Sequence, residues 1–197
     1  MKILRVLLLV SCISASKVYA QNHIVTSGIY LTAEDLQNSK LIEEEECKKD
    51  HEEFKKHDFF TRETFDVIYK GKKKTFLKGS IFAYRDCGNK TWRFYNNKEY
   101  EIVEKLDIYI YKLSKIVLNG ITIEKDPIFF FSDGLKGEIK QLTNDNLKVV
   151  FVKNKEFCRF VDEELKSDVP DKAAHAYDFI HKMYRVNYLM NQSKNKK

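Results

Sequence analysis

Cys47, His51 and His57 stand in a Cys-x3-His-x5-His pattern beside the acidic run Glu43 to Glu46. Thiolate, imidazole and carboxylate are the ligand types of zinc and related metals. On a helix, Cys47 and His51 would share a face. The spacing matches none of the recurring zinc patterns, however, and no second ligand pair at a recognised interval occurs elsewhere. A solvated polar arm with incidental histidines is therefore the preferred reading of the stretch, and no metal or other cofactor is assigned. His175, Asp178 and His181 form a second set. If that stretch is helical, Asp178 and His181 are placed to pair. With Cys87 or Cys158 they suggest a thiol–imidazole nucleophile. Nothing in the sequence brings a thiol to either imidazole, and no catalytic residue is assigned.

A third set has a different chemistry. Arg85, Asp86, Trp92, Arg93 and Tyr95 cluster around one expected hairpin, and Tyr109 and Tyr111 extend it. Cations and amphipathic rings on a sheet face can line a groove for a ligand or partner. Ordinary cross-strand packing with an ion pair is the competing explanation. The common signatures of phosphate loops, nucleophile elbows and zinc proteases are absent. Asn89-Lys90-Thr91 and Asn191-Gln192-Ser193 match the N-glycosylation pattern, which matters only in a eukaryotic secretory pathway.

The elements that position these residues follow from periodicity. The chain is rich in aromatics, with 14 Phe and 11 Tyr, which favours pleated sheet. Between about residues 61 and 142, short apolar runs alternate with turns. Leu106 to Leu113 is the clearest strand: Leu106, Ile108 and Ile110 fall on one face, Tyr109, Tyr111 and Leu113 on the other. Asn119-Gly120 between two apolar runs predicts a tight hairpin. Strands without intervening helices argue for an antiparallel meander. Gly28 to Thr32 reads as a short strand, Thr32 as the cap of a helical turn with Asp35 three residues on, and residues 43–58 as an exposed arm or edge strand. After residue 142 the pattern turns helical, with a last helix expected over 172–191. The expected fold is α+β: an antiparallel meander of about seven or eight strands, strongly curled or barrel-like, followed by C-terminal helices packed on it.

The N-terminus sets the compartment. Lys2 and Arg5 precede an apolar run from Val6 to about Ile13, and small residues lead to Ala20. This is the pattern of a cleavable secretory signal, with cleavage expected before Gln21. Leu9-Val10-Ser11-Cys12 offers an alternative, a lipobox that would make an outer-membrane lipoprotein through Cys12. The expected organisation is a signal over 1–20, a single domain over 21–192 and a disordered basic tail over 193–197. No transmembrane segment is expected after signal removal. Lys2, Arg5 and Lys17 account for three of the six net positive charges, which leaves +3. That is too little to argue for nucleic acid. Cys47, Cys87 and Cys158 then remain, so at least one thiol is unpaired within the chain. A bond between Cys47 and Cys87, both in polar loop-like settings, is the expected pairing. Cys158 reads as a small buried hydrophobe on a helix.

Gly28 to Thr32, Ser80 to Cys87 with Trp92 to Tyr95, and Ala176-Tyr177-Asp178 with His181 to Asn187 together are similar to a group of small exported Bacteroidota proteins of unknown function. The resemblance implies a Gram-negative envelope setting, periplasmic or secreted, and supplies no catalytic residues. The functional expectation is a non-enzymatic module that binds a protein, glycan or lipid through its sheet. A metal- or thiol-dependent hydrolase and a small-molecule carrier are the alternatives.

Overall fold

The structure is a computed structural model, and it describes residues 25–47, 63–69, 72–118, 121–165 and 176–195. The signal segment, Cys12, His51, His57 and His175 lie outside the described residues. The fold is α+β: an eight-stranded antiparallel sheet with, among the described residues, four α-helices, three of them C-terminal.

The chain enters through β1 (Thr26–Tyr30), the short α1 (Ala33–Gln37) and β2 (Ile42–Glu46). Thr32 caps α1 in a reciprocal box: its hydroxyl accepts from the Asp35 amide while the Asp35 carboxylate accepts from the Thr32 amide. β3 (Thr64–Tyr69) and β4 (Lys72–Leu77) pair only with each other, in a separate ribbon. A 3-10 turn over Lys78–Ser80 leads to β5 (Ala83–Arg85). β6 (Thr91–Tyr95), β7 (Lys98–Lys105), β8 (Ile108–Leu118), β9 (Ile121–Asp133) and β10 (Lys140–Gln141) then follow as a meander. The sheet order is β10-β9-β8-β7-β6-β5-β1-β2.

Period-two alternation gives the sheet two apolar faces. Cross-strand pairing lines up Ile29, Tyr84, Trp92, Glu101, Lys112 and Phe129 on the first face. It lines up Tyr30, Ala83, Arg93 and Tyr100 on the second, with the row Gly28, Arg85, Thr91, Ile102, Tyr111 and Phe130 beside it. At the β8–β9 end the first face is covered by α2 (Asn144–Val150), α3 (Lys155–Glu164) and α4 (Arg185–Asn195). Phe157, Phe160 and Val161 of α3 and Val186, Leu189 and Met190 of α4 meet Ile108, Ile110 and Phe131 of the sheet there. Those spacings are the apolar stripe of an amphipathic helix. At the β1–β5 end the β3–β4 ribbon covers the same face, with Phe65 and Val67 packed on Ile29, Tyr84 and Phe94. The second face carries the cluster of Tyr30, Leu36, Ala83, Tyr100, Ile102, Tyr111 and Ile139.

The antiparallel meander with C-terminal helices is as expected, and its sheet is open, with β10 and β2 at the edges. Several finer expectations about the sheet and helices need correction. The sheet begins at Thr26 rather than near residue 61, because β1 and β2 return to pair beside β5. Phe65 to Tyr69 and its partner strand lie outside it, in the covering ribbon. Leu106 is exposed in the β7–β8 turn. Of the helix expected over 172–191, residues 172–175 lie outside the described residues; from 176 on, the chain is helical only from Arg185, after a two-stranded hairpin of β11 (Tyr177–Asp178) and β12 (Met183–Tyr184). Asp178 explains that change: its Oδ1 accepts from the amides of Ile180 and His181 at 2.9 and 3.0 Å. This local turn competes with the helical ladder. Lys182 completes it at φ +54°, and Tyr177 packs edge-on against Tyr184 across the hairpin. At the other end, helix extends through Asn195, so residues 193–195 are not tail, and Ser193 is fully buried.

Candidate functional site: the arginine–tyrosine face

The second sheet face gathers Arg85, Arg93, Tyr95, Tyr109 and Tyr111. Asp86 and Trp92 are not part of it. Trp92 precedes Arg93 in an extended strand and so points to the opposite face, where it stacks parallel to Tyr84 at 6.2 Å. Its indole N–H donates to Asp86 Oδ2 at 2.8 Å, and Asp86 Oδ1 accepts from the Lys90 amide at 2.9 Å. These two residues close the β5–β6 turn.

Arg93 is the centre of the face. It is only 3 % exposed. Its guanidinium lies over three rings: Phe82 at 5.0 Å, Tyr95 at 5.5 Å and Tyr111 at 5.7 Å. Such contacts offset part of the desolvation of a cation. Nη1 donates to the Tyr111 hydroxyl at 2.8 Å and lies 3.5 Å from Ser132 Oγ. Nη2 donates to the Gly137 carbonyl at 3.0 Å. The polar chain has a direction. Ser132 donates to the Gly134 carbonyl at 2.7 Å, so the Tyr111 hydroxyl donates to Ser132 at 2.9 Å while accepting from Arg93. Nε is buried without a hydrogen-bond partner, and no carboxylate pairs with Arg93 among the described residues. Buried arginines are ordinarily matched by a carboxylate, so this arrangement is uncommon.

The acceptor loop is fixed by close approach. A Cβ at Gly137 would lie 2.4 Å from the Asp133 carbonyl oxygen, so only glycine fits where the Arg93 acceptor sits. Arg85, half-buried, reaches the other end of the face. Its Nε and Nη2 donate to the carbonyl and hydroxyl of Thr26 at 2.8 and 2.6 Å, again with no carboxylate among the described residues. Burial raises the pKa of Tyr30, Tyr100, Tyr109 and Tyr111, against the opposing effect of Arg93 on Tyr111 and of Arg85 on Tyr30. These hydroxyls are therefore neutral donors and acceptors at physiological pH.

At the end of the face a cavity of about 450 Å³ opens between the 3-10 turn and the Asn96-Asn97 turn. Leu31, Phe82, Tyr95 and Arg93 line it, with Lys78 and the two asparagines. Both asparagines adopt positive φ, 48° and 59°, as the tight hairpin turn between β6 and β7 requires. No acidic residue is among the described residues of the lining.

The other candidate residues are dispersed. Cys47 and Cys87 are joined in a disulfide with Cα atoms 5.4 Å apart, which links edge strand β2 to the β5–β6 turn. In this state Cys47 has no thiolate for a metal. Cys158 on α3 is half-buried with its Sγ directed at the carbonyls of Phe151 and Lys148, and burial raises its pKa. His181 sits in the β11–β12 turn, where Nδ1 meets Asp178 Oδ2 at 2.7 Å and the ring packs on Tyr188. Backbone donation from His181, with the imidazole contact, lowers the Asp178 pKa. Among the described residues no thiol contacts that imidazole. No group of three or more His, Cys, Asp or Glu among the described residues is placed to hold a metal ion.

Sequence reasoning missed Ser132, Gly137 and the 3-10 turn as parts of the site. Ser132 and Gly137 are brought to Arg93 from 39 and 44 positions away in the chain, and no local pattern signals that approach. No family model, curated protein or solved structure matches the chain.

Proposed function

We propose that this protein is an exported, non-enzymatic binding module that engages its ligand or partner through the arginine–tyrosine face and the adjoining cavity. One observation carries the reading: Arg93 and Arg85 lie on a tyrosine-rich face with no carboxylate partner among the described residues. A buried cation framed by rings and carbonyls can be completed by a ligand. The described residues supply no nucleophile–base pair beside it. The half-exposed Tyr95 and Tyr109 give amphipathic contact area of the kind enriched at recognition surfaces. The Cys47–Cys87 disulfide supports an oxidising compartment. No helix among the described residues is long and apolar enough to cross a membrane.

The test is a ligand screen on immobilised full-length protein, using glycan, lipid and small-acid panels. The wild type is compared with Tyr95→Ala and Tyr109→Ala. Retention of a ligand that falls at least tenfold in both variants, with the fold intact by circular dichroism, is the expected result. Equal retention by the folded variants, or no retained ligand in any panel, overturns the reading. Export is checked by N-terminal sequencing of protein from its own cell. A start at Gln21 is expected, and an intact Met1 on cytosolic material would overturn it.

A further inference from the structure

We infer that the turn between β11 and β12 is a membrane-docking tip that inserts Phe179 and Ile180 into the interfacial layer of an anionic lipid surface. This surface is separate from the arginine–tyrosine face. Phe179 and Ile180 are 85 % and 87 % exposed. They are the two most exposed large apolar side chains among the described residues, and they are consecutive. Single exposed hydrophobes are ordinary, whereas adjoining ones rimmed by polar groups mark an interaction surface. Turn tips are usually filled by glycine, asparagine, aspartate or serine. Nothing in this turn's geometry calls for phenylalanine and isoleucine. Asp178 makes the turn through the amides of Ile180 and His181, and Lys182 supplies the positive φ.

The tip is held with its apolar end outward. The Arg185 amide donates to the Ala176 carbonyl at 2.8 Å and closes the base of the hairpin. A ladder of rings runs from the sheet to the tip: Phe129 to Tyr184 at 5.8 Å, Tyr184 to Tyr177 at 5.4 Å, and Tyr177 to Phe179 at 5.1 Å. On the other side the His181 ring packs on Tyr188 of α4 at 4.1 Å. Little ordering is left for the moment of docking, which lowers its entropic cost.

Charge selects the occupant. The acid of the hairpin, Asp178, has a side chain only 11 % exposed, and it faces His181 at 2.7 Å and Arg185 at 3.9 Å. Glu164 of α3 is paired with Arg185 as well. Of these charged groups and Lys182, only Lys182 has no ion pair among the described residues, and it is exposed two positions after Ile180. The tip thus presents hydrocarbon beside a cation, with the nearby acids neutralised behind it. A bilayer with anionic headgroups meets these groups in order of depth. Phe179 and Ile180 enter the boundary of the acyl chains. Tyr177, 42 % exposed, lies at the headgroup level that amphipathic rings favour. Lys182 reaches the lipid phosphates. A projecting tip needs no matching pocket in such a surface.

The experiment is co-sedimentation of the full chain with vesicles of one part phosphatidylglycerol to two parts phosphatidylethanolamine, beside vesicles of phosphatidylcholine. Every variant keeps the same N-terminus, so any contribution of that apolar run is common to all. The double variant Phe179→Ser, Ile180→Ser, with its fold intact by circular dichroism, should bind the anionic vesicles at least tenfold more weakly. Leu77→Ser, at an exposed apolar position of the β3–β4 ribbon, should stay within twofold of the wild type. Lys182→Gln should weaken binding to the anionic vesicles at least twofold and leave the weaker phosphatidylcholine binding unchanged. Phe179→Trp reads the depth directly. The introduced indole should shift to the blue on the anionic vesicles and be quenched by bromines on shallow acyl carbons, above the constant background of Trp92. A double variant that binds as well as the wild type, or an introduced indole that stays in water, overturns the inference. So does an equal loss in Leu77→Ser, which would make the effect one of general apolarity. Absence of vesicle binding overturns it too, and tip-dependent capture of an envelope protein would then make a protein the occupant. None of these variants touches the arginine–tyrosine face, so the panel screen decides that reading separately.

Discussion

Arg93 Nη1 and the Tyr111 hydroxyl meet at 2.8 Å across an intervening strand, β7. One bond thus ties the middle of the sheet face to its β8 side and, through Ser132, to the turn after β9. Tyr111 is fully buried and packs edge-on against Tyr100 at 6.3 Å. Removing its hydroxyl would leave Arg93 with one fewer acceptor and no water to replace it.

Tyr111→Phe is accordingly expected to destabilise the protein by about 1–3 kcal/mol, the range for orphaning a buried donor. Chemical denaturation of both proteins checks it. The pH dependence has a definite sign. Burial raises the Tyr111 pKa, so the folded state holds that proton more tightly than the unfolded chain. The stability is fully present below the unfolded tyrosine value of about 10 and is lost as pH rises through the raised value. Tyr111→Phe should show a shallower alkaline loss than the wild type. An equal slope would mean that the hydroxyl is solvated.

A second network docks α4 to the sheet. Asn187 Oδ1 accepts from the Ile108 amide at 3.0 Å, and its Nδ2 donates to the Ile108 carbonyl at 2.8 Å and to Glu104 Oε2 at 2.5 Å. Glu104 Oε1 also accepts from the Tyr184 amide at 2.9 Å. Burial raises the Glu104 pKa, opposed by the bonds from Asn187 and Tyr184. A raised carboxyl value means that stability from this group is fully present below the ordinary glutamate range. It falls as pH rises through the raised value. Glu104→Gln lacks that titration. The difference in melting temperature between the two proteins should therefore move in favour of the wild type as pH drops from 7 to about 4.5, the lower end set by the unperturbed carboxyl. A difference that is constant with pH would show that Glu104 is as easily ionised in the folded state as in the unfolded one.

The sequence made some of this legible. The capping box at Thr32 and Asp35 depends on residues three apart, and the alternation of Ile108, Tyr109, Ile110 and Tyr111 is a local property of one strand. The placement of β1 beside β5 is not local: nothing within Thr26–Tyr30 specifies a partner almost sixty residues away. Phe65 and Val67 alternate as a sheet strand would, and the same alternation serves a ribbon lying on top of the sheet. Arg93 and its tyrosines stood out as a charged position among rings. The separation of Trp92 from Arg93 was also available, since consecutive residues of a strand face opposite ways. The missing carboxylate was not, because which acid reaches a buried cation is decided by tertiary packing.

The Cys47–Cys87 disulfide is the last relationship with a measurable consequence. β2 is an edge strand paired in the sheet with β1 alone, its residues are half-buried or exposed, and Glu43 adds an ion pair to Lys74 of the covering ribbon. Charged residues at Glu43 to Glu46 discourage further strand addition there but contribute little burial. The disulfide closes a loop over a separation of 40 residues and fastens the end of β2 to the β5–β6 turn, across β1. Restricting the unfolded chain by a loop of that size contributes about 3–4 kcal/mol in the chain-entropy picture. The double variant Cys47→Ser, Cys87→Ser should lose most of that in guanidinium denaturation. Hydrogen exchange should accelerate first at the amides of Ile42 to Glu46 and only later in β8 and β9, whose two sheet faces are packed. A loss below about 1 kcal/mol, with exchange in β2 unchanged, would show that pairing with β1 holds this edge without the covalent link.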